Sequence, residues 1–359
     1  MKRISAAFLI IASALQLGAQ TTQKLQAGKP NEYALIYSLP TTTLDITLEA
    51  EKTVRTPGEF YRYAKKYLGV DPITEPSSSY ELKSVIVNPR GITDPEERYQ
   101  VQFKSGSTPF MMIDGQNVPL SVNYPDVTLP EPPALPAPRE AKPTILEMPV
   151  AKQAVTAEML QSPSSAKRAE LAAARIYELR ETRSDILSGN ADNMPADGQA
   201  MQLVLDNLAA QEEALTAMFL GTVSTSTDVE TFSFTPGETN PRQIIARLSM
   251  TDGFVDSDNL SGAPIYLDVT VSERGTLPKT EKGEEKRFPK GGLAYRIPGK
   301  AKATVTYNGK RLANRTVDVA QYGIVFGIDP NLFTDKKAPA YVIFNPSTGA
   351  ISEIGTLTE

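Results

Sequence analysis

The chain has no cysteine, no histidine and no tryptophan among its 359 residues. Each absence excludes something. Without cysteine there is no disulfide, so an exported chain of this kind must be held by its core alone. Lipid attachment through a cysteine at a cleavage site is excluded as well. Without histidine there is no general base titrating near neutral pH, no Ser–His or Cys–His nucleophile pair, and none of the commonest transition-metal ligand. What remains is carboxylate chemistry, a Ser–Lys pair, or no chemistry at all. Tryptophan, a favoured sugar-stacking residue, is also missing. Long hydrophobic runs are scarce: Ile4 to Leu17 is too short to span a bilayer comfortably, and no later run approaches 18 apolar residues. With 37 basic and 42 acidic residues the net charge is −5, and nothing argues for nucleic acid or an anionic membrane surface as partner.

The N-terminus carries the clearest signal. Lys2 and Arg3 precede the apolar run, and "LGA" then offers small residues before Gln20. This layout predicts a secretory signal peptide over residues 1–19 and an exported, periplasmic or outer-membrane-associated protein with no transmembrane span.

Beyond it, composition divides the chain into four segments. Residues 20–124 read as an N-terminal β-rich module with one short helix. Leu44, Ile46 and Leu48 alternate with Asp45, Thr47 and Glu49, the period of a half-buried strand. "ELKSVIVNPRG" and "RYQVQFKSG" are two further strand candidates. In "TPGEFYRYAKKYLG", Thr56 suits an N-cap, Pro57 the first helical position and Gly69 the stop. Phe60, Tyr63, Ala64 and Tyr67 then share one helical face, which suits core packing better than a sugar platform. Residues 125–150 form a Pro-rich connector: eight prolines between Tyr124 and Pro149 forbid a helix or central strand over most of it.

Residues 151–221 read as an antiparallel helical hairpin. Ala169, Ala172, Ile176, Leu179 and Ile186 form one apolar stripe; Met201, Val204, Leu208, Leu215 and Met218 form the other. Arg183 and Gln211 interrupt them. Gly189 ends the first helix, and Pro195 with Asp197 restarts the second. Two helices bury only one face each, so the pair is expected to brace a β-sheet face. Residues 222–359 read as a C-terminal antiparallel β-domain, with Asn308-Gly309 as its strongest hairpin signal. Inside it, "SERGTLPKTEKGEEKRFPKGG" reads as a solvated, mobile loop. The fold class expected is α+β, mostly β: antiparallel β-modules with a central helical hairpin.

Three chemistries compete for the remaining motifs. Ser164 to Lys167 spells S-x-x-K, Ser257-Asp258-Asn259 spells S-D-N, and Lys279-Thr280 begins K-T but continues with Glu281. Together they suggest a serine–lysine acyl enzyme. The missing third-motif glycine and its place in the charged loop argue against that. A helix cap at Ser164 and a turn at "DSDN" explain the same residues. "DGFVDSDNLSG", Asp252 to Gly262, has EF-hand-like spacing at Asp256 and Asp258, but Leu260 stands where the next oxygen belongs, so an Asx-rich turn fits better. A carboxylate pair for glycoside hydrolysis has 42 acids to draw on, with none in an apolar run that would raise its pKa. "KGG" and "SGAP" lack what a phosphate loop needs.

"YSLPTTTLDITLEAEKTVRTPGEFYRYAKKYLG", "ARIYELRETRSDILSGNADNMPADGQAM", "DSDNLSGAPIYLDV" and "GLAYRIPGKAKATVTYNGKRLANRTVDVAQYGIVFGI" resemble, in order, the blocks of an exported family of unknown function found in Bacteroidetes. The resemblance implies an envelope location in a diderm bacterium, and no activity, cofactor or catalytic residue. It counts against the S-x-x-K reading. No catalytic, cofactor-binding or metal-ligating residue is therefore assigned, and no cofactor. The function expected is non-catalytic binding or scaffolding in the cell envelope, with an envelope protein or glycan as partner; the alternative is a carboxylate-based envelope glycan hydrolase.

Overall fold

The computed structural model describes residues 21–25, 34–102, 110–128, 134–193, 198–333 and 338–357. The expected leader, together with Pro195 and Asp197, lies outside them. The chain is 45% strand and 23% helix, which makes it α+β and mostly β.

Among the described residues three antiparallel sheets carry the fold. Sheet I has the order β1-β3-β2-β6, from β1 (Thr21–Lys24), β2 (Leu35–Thr56), β3 (Ser77–Gln102) and β6 (Thr222–Phe234). Sheet II has the order β11-β10-β9-β7-β8, from β7 (Gln243–Ser249), β8 (Gly253–Val255), β9 (Ala263–Glu273), β10 (Leu293–Tyr307) and β11 (Lys310–Ile328). Sheet III has the order β13-β12-β5-β4, from β4 (Met111–Ile113), β5 (Pro119–Val122), β12 (Ala340–Phe344) and β13 (Ile351–Thr356).

The period-2 pattern read from Leu44 to Glu49 places its apolar members as expected. Leu44, Ile46, Leu48 and Ala50 are fully buried and pack on Ile265, Leu267, Ala303, Val305 and Val319 of sheet II. This is a sandwich of two facing sheets. The same β2 and β3 run on into a second core, where Tyr37, Leu39, Tyr99 and Val101 meet Val122, Leu293, Val342 and Phe344. The two strand candidates before Gln102 are thus one continuous strand. Its prolines sit where no ladder bond is lost. Pro95 falls in the register shift opposite Ser38 and Pro40. Pro89 lies where β3 has β2 on one side only, because β1 pairs with Tyr99–Gln102. Asn308 and Gly309 both have positive φ, 48° and 75°, and turn β10 into β11 as the sequence predicts.

The segments expected from composition keep their order along the chain, but the two β-rich ones share sheets and cores. β6 pairs with β2 from Thr222↔Thr56 to Phe234↔Leu44, and β12 pairs with β5. Local periodicity marks which residues are strands and says nothing of which distant strand completes the ladder.

The helices form a separate pack. α1 (Ala64–Leu68), α2 (Pro149–Ala154), α3 (Ala157–Gln161), α4 (Ser165–Ser188) and α5 (Gln199–Leu220) surround a core of Phe60, Met159, Ile176, Leu179, Leu215, Phe219 and seven alanines. The first stripe is buried throughout, and Leu208, Leu215 and Met218 of the second pack on short helices and on the aromatic turn after β2 while Val204 stays exposed; the expected brace on a sheet face is corrected. The physical reason is that Phe60, Tyr63, Ala64 and Tyr67 already present an apolar face. Gly69 and Gly189 end α1 and α4 in the left-handed conformation, as read. α1 starts later than Thr56, which is still the last residue of β2, and helix begins within the expected connector at Pro149. The interrupting Arg183 is explained by Glu212: Arg180 and Arg183 both bind it, at 2.6 and 3.0 Å.

α5 runs directly into β6 through Gly221. Gly58 and Gly221 let β2 and α5 cross backbone on backbone; a Cβ on Gly58 would lie 2.2 Å from the Met218 carbonyl oxygen. The charged segment beyond β9 forms an arm over residues 274–292. Lys279 and Glu285 form a β-bridge across it, and Phe288 packs edge-on against Phe326 at 6.1 Å between ring centres.

Candidate functional site

Where the connector leaves sheet I for the helices, it encloses a groove of about 860 Å³. One wall is the outer strand β6 with its run Val223–Thr227, another is the connector from Arg139 to Met148, and Glu51 and Glu213 close the ends. The connector is pinned at both sides. Arg139 exchanges two backbone hydrogen bonds with Thr227, at 3.0 and 2.8 Å, as the first rung of an added strand. Thr144 and Glu147 form a capping box that turns the chain into a short helical turn at Ile145. Between Thr222 and Ser226 the outer backbone of β6 has no partner among the described residues beyond β2. Hydroxyls from Thr144, Ser224, Thr225, Ser226 and Thr227 line the groove, and Ile145, Met148 and Val223 give it an apolar strip.

Its charges are mixed and partly paired. Arg139 binds Glu49 at 3.4 Å, and Lys83 lies 3.1 Å from Glu51 and 2.7 Å from Glu81. Hydrogen bonds to Glu81 first and Glu51 second raise the Lys83 ammonium above its ordinary pKa. Farther along sheet I, partial burial opposes the charge on Asp45. The Arg90 guanidinium, at 2.6 Å, and the Ser233 hydroxyl outweigh it and hold the carboxyl below the ordinary carboxylate value. Glu51, Glu140 and Glu213 thus share one concave surface with Arg139 and Lys142.

A second groove, of about 640 Å³, lies between the arm and sheet III. Tyr295, Phe326, Leu332, Ile351 and Ile354 give it apolar walls, and Glu284, Glu285, Lys286 and Arg287 form its rim.

A family model described as a domain of unknown function, DUF4831, matches residues 33–352. The chain belongs to the DUF4831 family. The match spans the first groove, the second apart from Ile354, and all three sheets apart from β1 and the last four residues of β13. No curated protein and no solved structure matches the chain.

The DUF4831 fold scatters the motifs singled out from sequence. Ser164 caps α4, accepting from the Lys167 backbone N–H at 3.4 Å, while the Lys167 ammonium binds Glu170 at 2.8 Å. Ser257 lies in the turn after β8, where its carbonyl accepts from Arg247. Lys279 sits on the arm, bridged to Glu285. None of these bonds joins one motif to another. The candidate calcium loop closes as an Asx turn, Asn259 Oδ1 accepting from the Ser261 N–H at 3.0 Å. Asp252 accepts instead from Ser249 and Thr251. Burial first, then the nearby Asp256 and Asp228, raise the pKa of Glu230 on β6. Among the described residues no group of three acids is placed to hold a metal ion.

The first groove in this DUF4831 chain draws on residues sequence reading left unassigned. β6, "TVSTSTDVETFSF", has a Thr/Ser alternation with few apolar members, so it carries a weak strand signal. Its hydroxyl row was the available clue. Among the described residues no helix is long and apolar enough to cross a membrane.

Proposed function

We propose that this is a non-catalytic binding or scaffold protein of the bacterial cell envelope, and that it holds an extended segment of an envelope protein in the groove beside β6. The observation that carries this reading is the uncovered backbone of Thr222–Ser226, continuing a ladder that Arg139 has already begun at Thr227. An incoming strand gains main-chain hydrogen bonds there, while the hydroxyls and the Ile145–Met148–Val223 strip supply side-chain selection. No lining residue is aromatic, which favours a peptide over a sugar face. The leader-like residues 1–19 support the envelope location.

The test is a photo-crosslinking amino acid at Val223, which is 53% exposed, in the full chain expressed in a cell that exports it. The expected result is a covalent adduct to a defined envelope protein, lost when Thr225, whose backbone faces outward like that of Thr227, is replaced by proline. Recovery of monomer alone would overturn the reading.

A second reading is favoured by the three carboxylates on this groove. A carboxylate-based envelope glycan hydrolase would turn over a glycan panel and lose that turnover in Glu51→Gln, Glu140→Gln or Glu213→Gln. The binding reading expects no turnover in the unaltered protein.

A further inference from the structure

The outer edge of sheet III raises a question separate from the groove beside β6. β13 pairs with β12, and among the described residues the backbone of Ile351–Thr356 has no other partner. Natural proteins blunt such edges by shortness or by cover. β1, β4 and β8 are four residues or shorter, and the longer edges of β6 and β11 are met in part, by Arg139 and by Gly275. β13 has six residues and no cover.

A bulge gives this strand an unusual side-chain pattern. Ile343 pairs with Glu353 but Phe344 pairs with Ile351, so Ser352 is the extra residue. Ile351 and Ile354 therefore share the face of their partners Phe344 and Val342, which are buried. Glu353 turns the other way and accepts from the Tyr341 hydroxyl. Ile354 is 52% exposed and, with Ile351, walls the second groove.

We infer that the occupant of this edge is a second copy of the chain, paired antiparallel through β13 about a two-fold axis between Ser352 and Glu353. In that register Ile351 of each copy stands opposite Ile354 of the other, on the apolar face, and Ser352 stands opposite Glu353. No carboxylate faces its own copy. The rim gives a second, independent fit. Glu284, Glu285, Lys286 and Arg287 line the groove, and among the described residues none of the four side chains has an ion-pair partner. Two acids followed by two bases complement themselves when read antiparallel. A ligand of either single sign would be repelled by half of them, whereas a two-fold copy matches all four. The interface leaves the groove beside β6 free.

Sedimentation of the mature chain from roughly 1 to 300 μM tests this. The expected result is a concentration-dependent dimer. Ile354→Lys is expected to weaken it by about tenfold or more, by setting an ammonium against the apolar Ile351 of the other copy. Ile354 is half-exposed, and an unchanged thermal melt separates lost pairing from misfolding. Reversing two charges, Glu284→Lys with Glu285→Lys, leaves four bases on each arm and is expected to weaken the dimer. Reversing all four restores self-complementarity and is expected to recover it. A monomer at the highest concentration, or a dimer indifferent to Ile354→Lys, would overturn the inference.

Discussion

The sandwich and the helical pack are stabilised in different ways within one chain. The sandwich core draws Leu, Ile and Val from β2, β7, β9, β10 and β11, strands separated by up to about 270 positions, and no single side chain dominates it. The helical core draws on residues 60–68 and 145–219, and seven of its thirteen buried members are alanine. Small residues bring helix axes close but contribute little burial each. The helical pack therefore rests on a few large side chains, with Phe60 and Phe219 in contact at 5.4 Å between ring centres. Distributed burial tolerates a loss; concentrated burial does not.

The largest expected effect follows from that contrast. Phe219→Ala should cost about 4 kcal/mol, transfer and cavity together. Circular dichroism should show helical signal melting first while the strand signal holds; one shared transition at lower temperature would break the comparison. Next is the seam. Gly221 has φ +88°, and a Cβ there would lie 2.3 Å from the Thr56 carbonyl oxygen. Gly221→Ala should cost about 3 kcal/mol and, unlike the core change, lower both signals together, because it displaces β2 and α5 at once. Calorimetry distinguishes one transition from two. The smallest effect lies within the sandwich sheet. Asp45→Asn should cost about 1 kcal/mol at neutral pH. Because the Asp45 pKa is lowered in the fold, its stabilisation is complete above its ordinary value of 3.8 and drains away as pH falls through the lowered one. The gap between parent and variant should therefore close in acid, as chemical denaturation at pH 7 and at pH 2 would show.

How much of this was legible depends on whether the cause was local. The α+β class, the alternation in β2, the Asn308–Gly309 turn and the Gly189 stop are all written within a few residues, and sequence reading recovers them. The pairing of β6 with β2 is not, since its rungs join residues far apart and its polar alternation resembles a loop. The hairpin's stripes were legible, but what they pack against was not: the Phe60 turn precedes α4 by a hundred residues. The groove beside β6 escaped because it exists only once connector, strand and helix meet. The scattering of Ser164, Ser257 and Lys279 shows the converse, that short motifs coincide in sequence without converging in space.

The length of β2 has a mechanical consequence. At about 3.3 Å per residue its 22 residues run for roughly 70 Å, from the helical seam through both cores. Tension between the helices and sheet III would load its ladders along the strand axis, so the rungs would have to slip in unison instead of peeling singly. Such a strand behaves as a tie-rod, and whatever is gripped at one end is anchored at the other.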